Sequence, residues 1–171
     1  MNYPKYLIPM LRTDHAGETG AVFIYKAILL VSKDDDIISF ANKHLKTESE
    51  HLILIEQILE KKYRSKLIIF WKIAGFLTGF LPSLFGKKAI LATIYHVESF
   101  VEKHYQEQID SLGSQKKYHK IKKLLKSLQD DEISHKDEAL FEAQNFNKYQ
   151  NLWGAVVEKG SLLAVKISKK I

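Results

Sequence analysis

The sequence predicts an all-α protein built on a four-helix bundle. Three observations carry that expectation. Apolar residues recur three and four apart along most of the chain, and helix breakers are scarce, with 3 Pro and 8 Gly in 171 residues. Each of four stretches also carries one glutamate in the middle of its apolar stripe, at Glu18, Glu48, Glu98 and Glu132.

The first helix is predicted from about Asp14 to Val31, with His15, Glu18, Val22, Tyr25 and Leu29 on one face. The second opens at the Ser32–Asp36 cluster, a run of N-capping residue types, and continues to about Lys62. Its stripe is Ala41, Leu45, Glu48, Leu52, Ile55 and Leu59. A separate apolar segment, Leu67 to Phe85, breaks at Pro82. The third bundle helix spans about Lys88 to Leu112, aligning Leu91, Ile94, Glu98, Val101 and Tyr105, and stops at Gly113-Ser114. The fourth runs from Lys116 to about Phe146 through Ile121, Leu125, Leu128, Glu132, His135 and Ala139. An extra C-terminal helix, about Leu152 to Ser168, is expected to pack across the bundle.

A chain of 171 residues, 46% hydrophobic and 27% charged, suits one domain over residues 1–171 with a proper core. The absence of Cys excludes disulfides, Cys-ligated zinc, iron–sulfur clusters and thiol nucleophiles. Met1 to Met10 lacks the charged and apolar regions of a secretory signal, so none is expected. The net charge of +6 comes from Lys scattered along the chain, without a Gly-rich phosphate loop or an aromatic–basic RNA motif. Nucleic acid is therefore not the expected partner. An anionic membrane surface suits the charge better.

An ionised carboxylate buried without a partner costs several kcal/mol, so apolar stripes normally exclude it. Four of them converging would repel one another unless cations lay between them, and metal ions meet that need. The ordered pattern is Glu18, Glu48-x-x-His51, Glu98, Glu132-x-x-His135. Positions i and i+3 share a helix face, so each Glu-x-x-His directs an oxygen and a nitrogen at one point. One Glu from each of two helices and a Glu-x-x-His from each of two others is the ligand recipe of ferritin-like di-iron and di-manganese bundles. Composition alone gives roughly half of one Glu-x-x-His match, and two occur in register. The spacing also repeats: Glu18 to Glu98 is 80 residues and Glu48 to Glu132 is 84, a helical hairpin used twice. Histidine with carboxylate oxygens and no sulfur favours iron or manganese over structural zinc.

Four strings carry a family resemblance: LRTDHAGETGA (Leu11 to Ala21), ESEHL (Glu48 to Leu52), VESFVEKHY (Val97 to Tyr105) and DDEISHKDE (Asp130 to Glu138). They resemble the demethoxyubiquinone hydroxylase family, membrane-associated ferritin-like di-iron proteins of ubiquinone biosynthesis. The resemblance runs from Leu11 onward, and Asp14 to Glu18 is its most specific piece. It implies two iron ions per chain, held by Glu18, Glu48, His51, Glu98, Glu132 and His135. It also implies roles for His104 and Tyr105 in moving protons or electrons. The implied substrates are O2 and a polyprenyl benzoquinol whose tail stays in lipid, and the implied place is the cytoplasmic face of a bacterial membrane or the matrix side of the mitochondrial inner membrane. A homo-oligomer or a partner protein of ubiquinone biosynthesis is left open. The chain departs from the family at Ala27-Ile28, where a Gly-Gln step is common, and at Ser99, where a second Glu often follows.

Leu67 to Phe85 is 19 residues long, carries Phe70, Trp71, Phe76, Phe80 and Phe85, and is interrupted by Lys72 and Pro82. That is poor for a span, which needs about 20 apolar residues. Lys61, Lys62, Arg64 and Lys66 precede it and Lys87 and Lys88 follow, the pattern of a segment lying in the bilayer interface, with Trp71, Phe76 and Phe80 expected to hold it to lipid. Asp14, Asp130 and Asp131 are candidate partners for the outer nitrogens of metal-bound histidines. Glu102, one turn after Glu98, could compete as a ligand but reads more readily as a solvent-facing carboxylate beside Lys103; His15 reads as a packed histidine, and His44, His96 and His119 receive no role. The rival functions are iron handling or peroxide scavenging of the ferritin–rubrerythrin type, and a membrane-binding helical scaffold.

Overall fold

A computed structural model describes residues 2–171, so Met1, part of the N-terminal reading, lies outside the described residues. These residues form an all-α bundle of six α-helices without a strand: α1 (Ile8–Val31), α2 (Asp35–Ile58), α3 (Ile68–Ser83), α4 (Lys87–Ser111), α5 (His119–Ala143) and α6 (Lys148–Ser168). Short 3-10 turns precede α1, α3 and α5.

α1 starts six residues earlier than the sequence reading, because Leu7 and Leu11 extend its buried stripe and Pro9 sits in the first turn, where no helical N–H is needed. α2 begins where Asp34 accepts a hydrogen bond from the Ile37 amide at 3.1 Å, with Asp35 and Asp36 beside the positive helix end. It stops at Ile58, short of Lys62. Its buried face is Ile37, Phe40, Ala41, His44, Glu48, His51 and Ile55, one residue away from the expected stripe at Leu45 and Leu52. α4 lies within one residue of its expected span at each end, whereas α5 is three residues shorter at each end, Lys116–Tyr118 forming a 3-10 turn instead. α6 starts at Lys148 rather than Leu152, on an Asn147–Gln150 capping box.

α1 packs on α2 and α4 on α5, with α3 laid against α1 and α6 against α4. The buried side of α3 is Trp71, Gly75, Gly79 and Pro82. A Cβ on Gly75 or Gly79 would run into the backbone of Gly20 or Ile24, so these glycines allow α3 to lie directly on α1. α6 is pinned by the Trp153 indole N–H donating to Thr93 Oγ1 at 2.8 Å and by Ser168 on Thr13 at 3.1 Å.

Leu67 to Phe85 does not break at Pro82; α3 includes that proline in its last turn and ends at Ser83. The expected lipid-facing side also needs correction. Trp71 is buried, its N–H donating to Ser65 Oγ at 2.7 Å, and Phe76 and Phe80 are half-buried. The exposed face is instead Ile69, Phe70, Ile73, Leu77 and Leu81, continued by Leu84 and Phe85. On α6, Leu152, Val156 and Leu163 are likewise exposed. Among the described residues no helix is long and apolar enough to cross a membrane.

Two apolar clusters form the core. One gathers Tyr25, Ile28, Phe40, Leu91, Ile94 and Ala139; the other gathers Leu11, Ile55, Tyr105, Ile109, Leu125 and Leu128.

Candidate metal centre

Burial of the four helix stripes brings Glu18 of α1, Glu48 and His51 of α2, Glu98 of α4, and Glu132 and His135 of α5 to one place. Each is at most 4% exposed. Their ligand atoms fall into two overlapping groups, Glu18/Glu48/His51/Glu132 and Glu48/Glu98/Glu132/His135, within each of which the atoms lie within 4.8 Å of one another. Glu48 and Glu132 belong to both. Each group could hold a metal ion, and Glu48 and Glu132 are within reach of either.

The polar atoms themselves test the fit. Glu18 Oε2, Glu48 Oε1, Glu132 Oε2 and His135 Nδ1 are buried without a hydrogen-bond partner, although His135 Nδ1 is only 3.0 Å from Glu48 Oε1. Leaving such groups unmet costs about 1–3 kcal/mol each. A cation in each of the two groups would satisfy all four.

Without a metal, protons carry the positive charge. Burial, then repulsion from Glu132, Glu98 and Glu18, pushes the Glu48 carboxyl well above the usual carboxylate range. Burial and Glu132 do the same to Glu98. Burial opposes charge on His51, but hydrogen bonding and attraction from Glu132 and Glu18 outweigh it and lift the imidazole to about 11. Glu132 is the counterpart: burial resists its ionisation, yet His135 and His51 bring it down to about 2. The pair is in contact, His51 Nδ1 lying 3.1 Å from Glu132 Oε1.

Beyond these six, Asp131 is the one of the three candidate aspartates that meets a metal-facing histidine, with Oδ2 3.1 Å from His51 Nε2. Asp130 pairs with Lys126, and Asp14 lies 3.3 Å from His104 Nε2 and accepts from Gln108 at 2.7 Å. The Tyr105 hydroxyl donates to Glu18 Oε1 at 2.5 Å. Glu102 stands outside the cluster, bound to Lys136, and His15 is buried against Glu56.

Two residues escaped the sequence reading. Tyr25, treated only as a stripe residue, directs its hydroxyl at Glu98 Oε1, 3.4 Å away. His44 is fully buried against His135; burial first, then His135 and Lys43, depress its imidazole to about 3. The signal for His44 was its place one turn before Glu48.

A cavity of about 420 Å³ lies between α1, α3, α4 and α6 and reaches Glu18, Glu48, Glu98 and Glu132. His104, Tyr105 and Asp14 stand in its wall near the carboxylates. At its other end Phe70 of α3 and Val156 and Leu163 of α6 line it while also belonging to the exposed apolar surface. The mouth therefore opens on the apolar face.

Comparison with known proteins agrees with this geometry. The chain is 30% identical over 169 residues to a Caenorhabditis elegans protein named NADPH-dependent 3-demethoxyubiquinone 3-hydroxylase, mitochondrial, covering 95% of this chain and 89% of that one. A Dictyostelium discoideum protein of the same name is 29% identical over 95% of this chain and 76% of its own length. The Rhodospirillum rubrum 3-demethoxyubiquinol 3-hydroxylase is 29% identical over 94% of this chain and 76% of its own length. A family model described as ubiquinone biosynthesis protein COQ7 matches residues 5–168, nearly the whole chain, and the protein belongs to that family.

Proposed function

We propose that this chain is a di-iron hydroxylase that uses O2 to insert one oxygen atom into the ring of a 2-polyprenyl-6-methoxy-benzoquinol. One observation carries the reading: a cavity that starts on an exposed apolar face ends on a cluster of buried carboxylates and histidines. Its volume of about 420 Å³ suits a substituted ring and the start of a tail. An iron store needs no such opening, and a scaffold needs no such floor. The relatives' names point to the same substrate.

In this reading Glu18, Glu48, His51 and Glu132 would hold one iron and Glu48, Glu98, Glu132 and His135 another, within a single ferritin-like domain. Reduced iron, when bound there, would supply the activation of O2. The protein does the rest. The α3 and α6 walls exclude water and guide the ring toward the carboxylates. Tyr105 keeps its proton, because burial and then Glu18 raise its hydroxyl well above the ordinary range, and it fixes Glu18 by donating to it. His104, with Nε2 3.3 Å from Asp14 Oδ1, stands in the cavity wall where a quinol hydroxyl would reach the site.

The protein works as a peripheral membrane protein. The exposed faces of α3 and α6 enter the interface so that a prenyl tail remains in lipid, on the cytoplasmic side of a bacterial membrane or the matrix side of the mitochondrial inner membrane. The flanking cations contribute less than their number suggests, since Lys62, Arg64 and Lys87 are paired with Glu60, Glu56 and Asp36.

The test is a strain lacking the protein and any other such hydroxylase. It should accumulate demethoxyubiquinone at the expense of ubiquinone, and the intact chain should reverse this. A Glu132→Ala form should not, at equal expression. An Ile73→Gln/Leu77→Gln form should keep its metal but leave the membrane fraction. Normal ubiquinone in the deletion strain would defeat the assignment, and rescue by Glu132→Ala would leave the scaffold reading in place.

A further inference from the structure

The two histidines of the cluster are held in different ways. His51 is fixed at both ends of its ring, with Nδ1 3.1 Å from Glu132 Oε1 and Nε2 3.1 Å from Asp131 Oδ2. His135 directs Nδ1 into the cluster, 3.0 Å from Glu48 Oε1. Its ring then meets His44 edge to face, with centroids 4.1 Å apart and planes inclined by 70°. A metal-binding imidazole must point its lone pair at the ion, and rotation about the Cβ–Cγ bond destroys that aim. For His51 a hydrogen bond prevents rotation, the usual arrangement. For His135 the constraint on the ring plane comes from the neighbouring ring.

His44 is built to resist displacement. It is 0% exposed, and Phe40 packs on it with centroids 4.2 Å apart at 64°. Its Nε2 comes within 3.2 Å of Glu138 Oε2 but makes no hydrogen bond there, so packing alone holds the ring. The ring therefore stands as a fixed wall in a close-packed interior, where moving one ring requires moving the next.

We propose that His44 is a positioning residue for the Glu98/His135 metal position, its ring fixing the plane of His135 as Asp131 fixes that of His51. The proposal rests on the ligand assignment above and concerns the shape of the side chain at residue 44. A ring of another kind should serve, whereas a small side chain should not.

Anaerobic titration of the chelator-stripped full chain with Co2+, followed by visible absorption, tests this without reference to turnover. The unsubstituted protein should take up two ions. His44→Ala should keep one ion at unchanged affinity and weaken the other by about tenfold or more. His44→Phe should restore the two-ion isotherm. Placed on Glu98→Ala, which already lacks that position, His44→Ala should change nothing; placed on Glu18→Ala, it should weaken the remaining ion. Two ions bound by His44→Ala with the original isotherm and spectrum would overturn the proposal. So would equal weakening of both ions, or a His44→Phe protein no better than His44→Ala. A starting protein that takes up no cobalt would instead overturn the ligand assignment, and the proposal with it.

Discussion

α1 and α4 carry matching glutamates 80 residues apart, and α2 and α5 carry matching Glu-x-x-His pairs 84 apart, so each half of the centre has a counterpart to compare with. The candidate ligands are of the same types in both halves, but their surroundings differ. Asp14, His104 and Gln108 form a buried polar trio on one side; at the matching offsets stand Ile94, Ile24 and Ile28, all in an apolar core cluster. Asp131 supports His51, and its counterpart is Thr47; His44 packs on His135, and its counterpart is Leu128. Two metals require matched donors, whereas a substrate that enters from one side requires polar groups only where its ring stops. The repeated hairpin keeps the first symmetry and gives up the second.

The comparison breaks most visibly at the shared ligands. Glu132 contributes to both groups, whereas Glu18 and Glu98 contribute to one each. Glu132→Ala should therefore take iron content from about two per chain to near none, and Glu18→Ala or Glu98→Ala to about one, as read by metal analysis of protein prepared with iron. If Glu18→Ala and Glu98→Ala each lost both ions, the halves would not be separable.

Next in size is the pH dependence of the metal-free protein, because its positive charge sits on His51. With an imidazole lifted to about 11, the folded state keeps a proton that the unfolded chain releases above its ordinary value of 6.5. That stability is complete below the unfolded value and is lost as pH rises toward the folded one. The raised carboxyls of Glu48 and Glu98 act with the same sign. His44, depressed to about 3, costs stability only where the unfolded histidine would be charged, so it contributes no slope above pH 7. From pH 7 to 9, chelator-treated protein should lose about 1.4 kcal/mol per pH unit for the His51 proton alone. Urea midpoints should show the fall, and His51→Gln should reduce it by that amount. An unchanged slope in His51→Gln would place the proton elsewhere.

How much of this was legible in the sequence depended on whether a residue's signal lay in its type or in its rotation about a helix axis. The convergence of the six candidate residues could be read because a carboxylate on an apolar stripe is costly wherever the stripe faces. The face of α2 could not be read so closely: Ala41 to Glu48 can be stepped through residue 44 or residue 45, and only packing against α5 selects His44 over Leu45. The same ambiguity affected α3, where aromatic bulk suggested Trp71, Phe76 and Phe80 as the lipid side. The decisive signal was the small-residue spacing of Gly75 and Gly79, which turns Trp71 toward α1 and leaves Ile73 and Leu77 outward. Asp131 had a local signal, but choosing it over Asp130 again required the rotation of α5.

The smallest expected effect concerns two tyrosines that cross between the halves. Tyr105 of α4 donates to Glu18 of α1 at 2.5 Å, and Tyr25 of α1 approaches Glu98 of α4 at 3.4 Å. Both hydroxyls are held well above their ordinary range, by burial first and then by Glu18 for Tyr105 and Glu98 for Tyr25. They therefore remain donors at any working pH. The two distances decide how much each bond contributes, since a contact near 3.4 Å is at the outer limit of a hydroxyl bond and weakens accordingly. Tyr105→Phe should cost the metal-free fold about 1–1.5 kcal/mol, because it strips Glu18 Oε1 of a close donor inside the core. Tyr25→Phe removes a marginal bond and should cost about 0.5 kcal/mol or less. The rings remain in both variants, so packing is nearly unchanged and urea unfolding at one pH reads the hydroxyls alone. Equal losses would mean that the halves are more alike than these distances show, and a larger loss in Tyr25→Phe would reverse which glutamate is the more firmly held.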